Sequence, residues 1–289
     1  GKSLTVQAGT DGKGIILQLG GNAENPEGYQ LKVTSDQVVI SGPTEAGVFY
    51  GIQTLRKSIP VAQGVDIALP AVEINDYPRF SYRGAMLDVS RHFFPVDSVK
   101  RFIDMLALHN INRFHWHLSE DQGWRIEIKS RPELTEIGSK RAETVIGHNS
   151  GKYDGKPYGG FFTQEEAKEI VAYAAERHIT VIPEIDMPGH MLAAVSNYEG
   201  VSCFNETGWG SVFSSPVCPG KDSALEFCKN VYAELIALFP YKYVHIGGDE
   251  VEKTNWKKCP DCQKRMHDNN LKTEEELQSW FIHDMERFF

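Results

Sequence analysis

Asp249 and Glu250 stand side by side in the stretch YVHIGGDEVEKTNW (243–256), where a strand-forming run from Tyr243 to Ile246 passes through Gly247 and Gly248. Neighbouring carboxylates repel and raise each other's pKa, so the pair is costly where a buried strand ends unless its members do work. Acidic residues also suit a helix N-terminus, where they meet the positive end of the dipole. Taken alone, the pair supports either reading. Other strand-like segments carry ionisable groups in the same place: Arg91 after SYRGAMLDVSR, then His115, His117, Glu120 and Asp121 along and beyond INRFHWHLS. Glu184, Asp186 and His190 follow with ITVIPEID, and His245 precedes Asp249. Polar clusters at four successive strand ends point to one catalytic mouth.

Two chemistries could use such a mouth. In metal-assisted hydrolysis, His115 and His117 would face one side of their strand, and His190, His245 and an aspartate would complete the site. Trp116 lies between the two histidines and the strand continues past them, so histidines satisfied by a neighbouring strand are the simpler account. Acid/base chemistry on a sugar instead needs one carboxyl that donates a proton to a leaving oxygen and a second group that stabilises positive charge near the anomeric carbon. Consecutive residues leaving a strand point different ways, so Asp249 and Glu250 can take these distinct roles.

The elements that must position these groups fall into two rhythms. Residues 1–76 contain short alternating runs (SLTVQAG, GIILQLG, GYQLKVTSDQVVISGP) and then the helical pattern TEAGVFYGIQTLRKSI with Thr44 as N-cap. They predict a small α+β domain, an antiparallel sheet with one helix packed on it. AVEINDYPRF reads as the join. Residues 77–289 alternate strand and helix: VDSVKRFIDMLALHN opened by Asp97, FTQEEAKEIVAYAAERH with a Thr163–Glu166 capping box, SALEFCKNVYAELIALF and TEEELQSWFIHDMERFF follow the four strands. Four βα units imply parallel strands, in either an open doubly wound sheet or a (β/α)₈ barrel. No GxGxxG or phosphate-binding loop follows any of them.

Bulk properties narrow the classes further. The 289 residues carry a formal net charge of −9, which argues against nucleic acid as a partner. No apolar run approaches membrane-spanning length, and the start GKSLTVQAGT has neither an initiator Met nor a signal-peptide pattern. Of five cysteines, Cys203 and Cys218 flank one loop and could pair in an oxidising compartment. CPDC at Cys259–Cys262 invites a zinc reading, but without a second pair or a histidine partner the motif is weak.

HIGGDE, together with LDVSRHFFP, HWHLSEDQGWR and IPEIDMPGH, closely resembles the family 20 glycoside hydrolases, the β-N-acetylhexosaminidases. EAGVFYGIQTLRKSI is similar to the helix of the small domain that precedes their barrel, and the likeness runs through the whole chain in order. The resemblance implies an α/β fold, a (β/α)₈ barrel behind an α+β domain, and an enzyme that removes terminal β-linked GlcNAc or GalNAc from oligosaccharides and glycoconjugates. It implies Glu250 as general acid/base and Asp249 as the anion that orients and stabilises the substrate's 2-acetamido group. The acetamido oxygen is then the nucleophile, an oxazolinium the intermediate, and neither a metal nor an organic cofactor takes part. Arg91 matches the contact to sugar hydroxyls, and His190 the histidine that hydrogen-bonds the acid. The usual partner of that histidine is an aspartate; here Glu120 holds its place, keeping the charge but shifting its reach. Asp121, Trp124 and Arg125 read as structural. The family's barrel has eight βα units and this chain carries four, so it reads as a fragment of a longer protein, without the later tryptophans and tyrosine of the sugar pocket. A glycan substrate makes a periplasmic, secreted or cell-surface location the expectation.

Overall fold

A computed structural model describes residues 13–21, 24–60, 67–147, 150–204 and 215–289. The run SLTVQAG, expected as a strand, lies outside the described residues. The chain divides into two compact units, one made of 1–83 with 104–112 and 176–179, the other of 84–103, 113–175 and 180–289.

In the first unit a four-stranded sheet is built from Gly14–Leu19, Tyr29–Val33, Gln37–Gly42 and Val72–Asp76. Along Tyr29–Val33 the pleat buries Tyr29, Leu31 and Val33 and exposes Gln30 and Lys32. The helix Glu45–Ser58 covers that apolar face with Val48, Tyr50 and Leu55. Thr44 caps it by accepting the Gly47 N–H at 3.2 Å. The sheet is mixed rather than antiparallel. Tyr29–Val33 is the returning strand, so Gly14–Leu19 and Gln37–Gly42 both run against it and pair parallel to one another. Val72–Asp76, read from the sequence as part of the join, pairs antiparallel with Tyr29–Val33 as an edge strand.

The second unit carries three parallel strands, Gly84–Asp88, Arg113–His117 and Thr180–Glu184, adjacent in chain order. In a doubly wound Rossmann sheet the fourth strand returns beside the first, whereas here the fourth strand position bridges the third, Glu184 to His245, and that unreversed order is the order of a (β/α) barrel. Helices Val96–Leu108, Gln164–Ala175, Asp222–Leu238 and Glu274–Phe288 follow the strand positions. Asp97 sits inside the first turn of its helix, not ahead of it. The capping box forms as expected: Thr163 N–H donates to Glu166 Oε2 at 2.8 Å, and Glu166 N–H to Thr163 Oγ1 at 3.2 Å.

The fourth strand differs from expectation. Tyr243–Ile246 makes one parallel bridge, Glu184 to His245, and no ladder. His245 N–H donates to Pro183 O at 2.9 Å, but Pro183 has no N–H to return, which thins the pairing at that position. A hairpin of Ser119–Glu120 and Gly123–Trp124, absent from the sequence reading, leaves the second barrel strand.

Candidate active site

The strand register fixes where the chemistry sits. Asp88, His117 and Glu184 occupy equivalent positions on the three strands, and the Glu184–His245 bridge carries that layer to a fourth segment. Glu184 is its hub. Oε2 meets His115 Nε2 at 2.5 Å and His117 Nδ1 at 2.6 Å, while Oε1 lies 3.1 Å from His245 Nδ1. Burial alone would raise the Glu184 carboxyl, but these histidine contacts outweigh it and hold it far below the usual carboxylate range. Burial likewise opposes charge on His117, yet Glu120 and Glu184 on either side push it up to about 10. The two histidines of the metal alternative are therefore bonded to a carboxylate from the adjacent strand.

Beyond this layer the polar groups form a line toward Asp249 and Glu250. Arg91 bridges Asp88, 2.7 Å from Nη1 to Oδ2, and Glu120, 2.6 Å from Nη2 to Oε1. The Glu120 side chain is only 1% exposed and reaches His190 Nδ1 at 3.0 Å. The hairpin turn holds it there, since Asp121 N–H donates to Glu120 Oε2 at 2.8 Å. The extra methylene relative to aspartate is thus accommodated with the contact made. Burial of Glu120 is outweighed by hydrogen bonds from His117 and His190 and by the Arg91 charge, so its carboxyl is held at about 2. His190 is pushed up to about 9, chiefly by its hydrogen bond to Glu120.

The far nitrogen of His190 faces the acidic pair. Nε2 lies 3.7 Å from Asp249 Oδ2 and 3.4 Å from Glu250 Oε2. Both are strand-exit residues with exposed side chains, 66% for Asp249 and 76% for Glu250. Two of the site residues adopt left-handed backbone, His190 with φ 53° and Glu250 with φ 48°. Such non-glycine conformations concentrate where surrounding structure holds a side chain in a demanded direction.

Asp186 completes the cluster and was absent from the five residues singled out by resemblance. Its Oδ1 accepts the Gly248 N–H at 2.9 Å, and its own N–H donates to Ser119 Oγ at 3.0 Å. Burial first, and then the Asp249 charge, push its carboxyl up to about 7. Gly247 at φ +73° lies so close that a Cβ there would stand 2.0 Å from Asp186 Oδ1. The sequence signal was available: Glu184 and Asp186 are two apart on an extended segment and share one face. The residues read as structural behave so. Arg125 is fully buried and donates to the carbonyls of Ser90, Ser139 and Gly160, Trp124 donates to Ile126 O, and Asp121 Oδ1 accepts the Leu192 N–H.

Line, layer and pair together form a carboxylate–histidine–carboxylate arrangement at a strand end, able to hold a proton donor and a separate fixed anion within one small volume. Comparison with known proteins gives a consistent picture. The model of the glycosyl hydrolase family 20 catalytic domain matches residues 80–289, and that of the family's domain 2 matches residues 1–77. A β-hexosaminidase of Porphyromonas gingivalis is 47% identical over 99% of this chain and 37% of its own length. One from Vibrio furnissii is 39% identical over 90% of this chain and 43% of its own length. Among solved structures, a β-N-acetylhexosaminidase from Bacteroides fragilis aligns with a TM-score of 0.81 at 42% identity, covering 95% of this chain and 52% of that one. An exo-β-N-acetylglucosaminidase from Vibrio harveyi, solved with N-acetylglucosamine, aligns with a TM-score of 0.82 at 38% identity, covering 95% and 44%. The chain spans about two fifths of the length of these two curated relatives.

Proposed function

The chain belongs to glycosyl hydrolase family 20, and from that premise we propose that it serves a retaining exo-β-N-acetylhexosaminidase acting on terminal β-linked GlcNAc or GalNAc. One observation carries the reading. His190, anchored on the buried Glu120, presents Nε2 to both Asp249 and Glu250. The Asp249 and Glu250 side chains leave one strand end in adjacent positions, so they reach different parts of a bound sugar.

In this reading Glu250 donates its proton to the glycosidic oxygen as the C1–O bond breaks. The oxygen of the substrate's own 2-acetamido group attacks C1, and positive character develops on the acetamido nitrogen in the resulting oxazolinium. Asp249 is the anion beside that nitrogen. It is stronger there in the transition state than in the ground state, which is the condition for catalysis rather than mere binding. Glu250 then takes a proton from water as the water opens the ring at C1, giving net retention. His190 is a positioning residue: its proton, favoured by Glu120, lies within ion-pair reach of both working carboxylates. Arg91 gives one N–H to Asp88 and one to Glu120. The remaining donors of this half-exposed fork suit two vicinal sugar hydroxyls. A glycan substrate fits a periplasmic, secreted or surface location.

The test is hydrolysis of aryl N-acetyl-β-glucosaminide and galactosaminide by the whole protein, with brief chelator treatment that leaves the fold intact by circular dichroism. Turnover with release of the β-configured sugar, unaffected by chelator, supports the reading. Loss on chelation with the fold intact would favour a metal-dependent hydrolase, and binding without turnover a non-catalytic glycan-binding relative.

A further inference from the structure

Away from the sugar-hydrolysing residues, four of the five cysteines come together. Cys203, Cys218, Cys259 and Cys262 are all buried, and their sulfurs lie within 4.8 Å of one another. Cys218 is central, 3.5 Å from Cys262 and 3.7 Å from Cys259, and Cys203 is 3.7 Å from Cys262. A tetrahedral zinc tetrathiolate with bonds of about 2.3 Å sets its sulfurs about 3.8 Å apart. The observed separations fit the edges of that tetrahedron. A disulfide would instead single out one partner for each sulfur at about 2.0 Å. Here Cys218 is shared between two.

We propose that these four cysteines form a structural zinc site. The surroundings are built for the double negative charge that four thiolates leave around a zinc ion. Cys259 and Cys262 open the nine-residue helix Pro260–Asp268, whose N-terminal dipole favours anionic sulfur. Two cations stand on the adjoining backbone: Lys221 Nζ donates to Ser202 O at 2.9 Å and Cys203 O at 3.1 Å, and Arg265 Nη2 to Gly220 O at 3.1 Å. Outer partners of this kind orient ligands and tune the metal. Gly220 is required by the fold of the site, since a Cβ there would lie 2.2 Å from the Cys262 backbone nitrogen.

The ion would tie three separate segments together. Cys218 N–H donates to Val201 O at 2.8 Å, and the buried Trp256 indole donates to Val217 O at 3.1 Å. Val217 N–H in turn donates to Pro188 O at 2.8 Å, two residues ahead of His190. Cys259 follows Glu250 by nine positions. The clamp thus fixes the chain leaving Asp249 and Glu250 against the turn that presents His190. Its role is structural, because the four sulfurs leave no open coordination position for substrate or water.

The experiment is metal analysis of the whole protein, expressed with zinc present and purified without chelator, with mercurial titration of its thiols. The expected result is about one zinc per chain, released on mercuration, and replacement by cobalt with the intense visible bands of a tetrahedral tetrathiolate. Cys259→Ser and Cys262→Ser should lose the metal, while Cys228→Ala, at the buried fifth cysteine in the helix Asp222–Leu238, should keep it. Because those serine variants could misfold, the wild-type stoichiometry decides. A folded wild type holding well below one metal per chain, whether its cysteines alkylate freely or have the mass of two disulfides, would overturn the proposal. Neither outcome depends on glycosidase activity.

Discussion

Glu250→Gln keeps the shape of the side chain next to His190 Nε2 and removes its transferable proton. For alkyl or sugar leaving groups kcat should fall by about 10²- to 10⁴-fold. Activated aryl leaving groups need little protonation, so their glycosylation step should suffer much less. Pre-steady-state comparison of the two substrate types checks this, and equal losses would remove the acid role. Glu120 makes a second prediction, about stability. Held at about 2 instead of the ordinary 4.5, its carboxyl is depressed in the folded state. Its stabilisation is therefore complete above about pH 4.5 and lost as pH falls through 2. That difference corresponds to on the order of 3 kcal/mol. Glu120→Gln should cost roughly that much in denaturant titrations at neutral pH, and progressively less as the titrations approach pH 2. A cost independent of pH would mean that Glu120 acts by packing alone. At this scale residue type and strand-end position exposed most of the cluster. The partners were hidden, because which oxygen meets which nitrogen depends on register across strands that are far apart in sequence.

At the scale of elements, the turn after the fourth strand position does the positioning. Gly247 and Gly248 both have positive φ, and Gly248 N–H is bound by the buried Asp186. Gly247→Ala would put a methyl group 2.0 Å from Asp186 Oδ1 in a backbone region that side chains avoid. It should destabilise the protein by about 1–3 kcal/mol and lower kcat, because Asp249 and Glu250 leave from that turn. Thermal unfolding and kinetics on the same preparation check both, and a variant of unchanged stability would show that the turn is not constrained in this way. The longer helices were legible to within about three residues at their ends, since their apolar spacing and the Thr44 and Thr163 caps are local signals, whereas the short helices Glu133–Glu136, Leu192–Val195, Thr254–Lys258 and Pro260–Asp268 were not. The Ser119–Trp124 hairpin was not, because its two-residue strands are too short for any alternation to register. Nor did alternation show that Tyr243–Ile246 makes one bridge instead of a ladder, because pairing depends on the neighbouring strand and not on the segment's own pattern.

For the whole molecule, the strand order separated a barrel from a doubly wound sheet, a choice that βα alternation alone leaves open. The cysteine cluster was illegible for a related reason. Cys203 and Cys218 are 15 positions apart, and CPDC begins 56 positions after the first and 41 after the second, so no short motif unites them. Asp249 and Glu250 have largely exposed side chains in this chain, and the P. gingivalis and V. furnissii relatives are more than twice as long. A purified 1–289 species should accordingly show little or no turnover of aryl N-acetylglucosaminides. Substantial activity from a species of confirmed mass would contradict that expectation.

The central claim is that the substrate's acetamido group, supported by Asp249, is the nucleophile. It is tested most directly by single-turnover kinetics of Asp249→Asn in the whole protein, alongside binding of a thiazoline mimic of the cyclic intermediate. Loss of the anion should slow the first chemical step by about 10²-fold or more, the scale of one preorganised electrostatic contact. Thiazoline affinity should fall with it. A 2-hydroxy glycoside lacking the acetamido group should be a very poor substrate and nearly indifferent to the substitution. A covalent glycosyl-enzyme trapped with a 2-fluoro sugar, on Asp249 or any other carboxylate, would contradict the account.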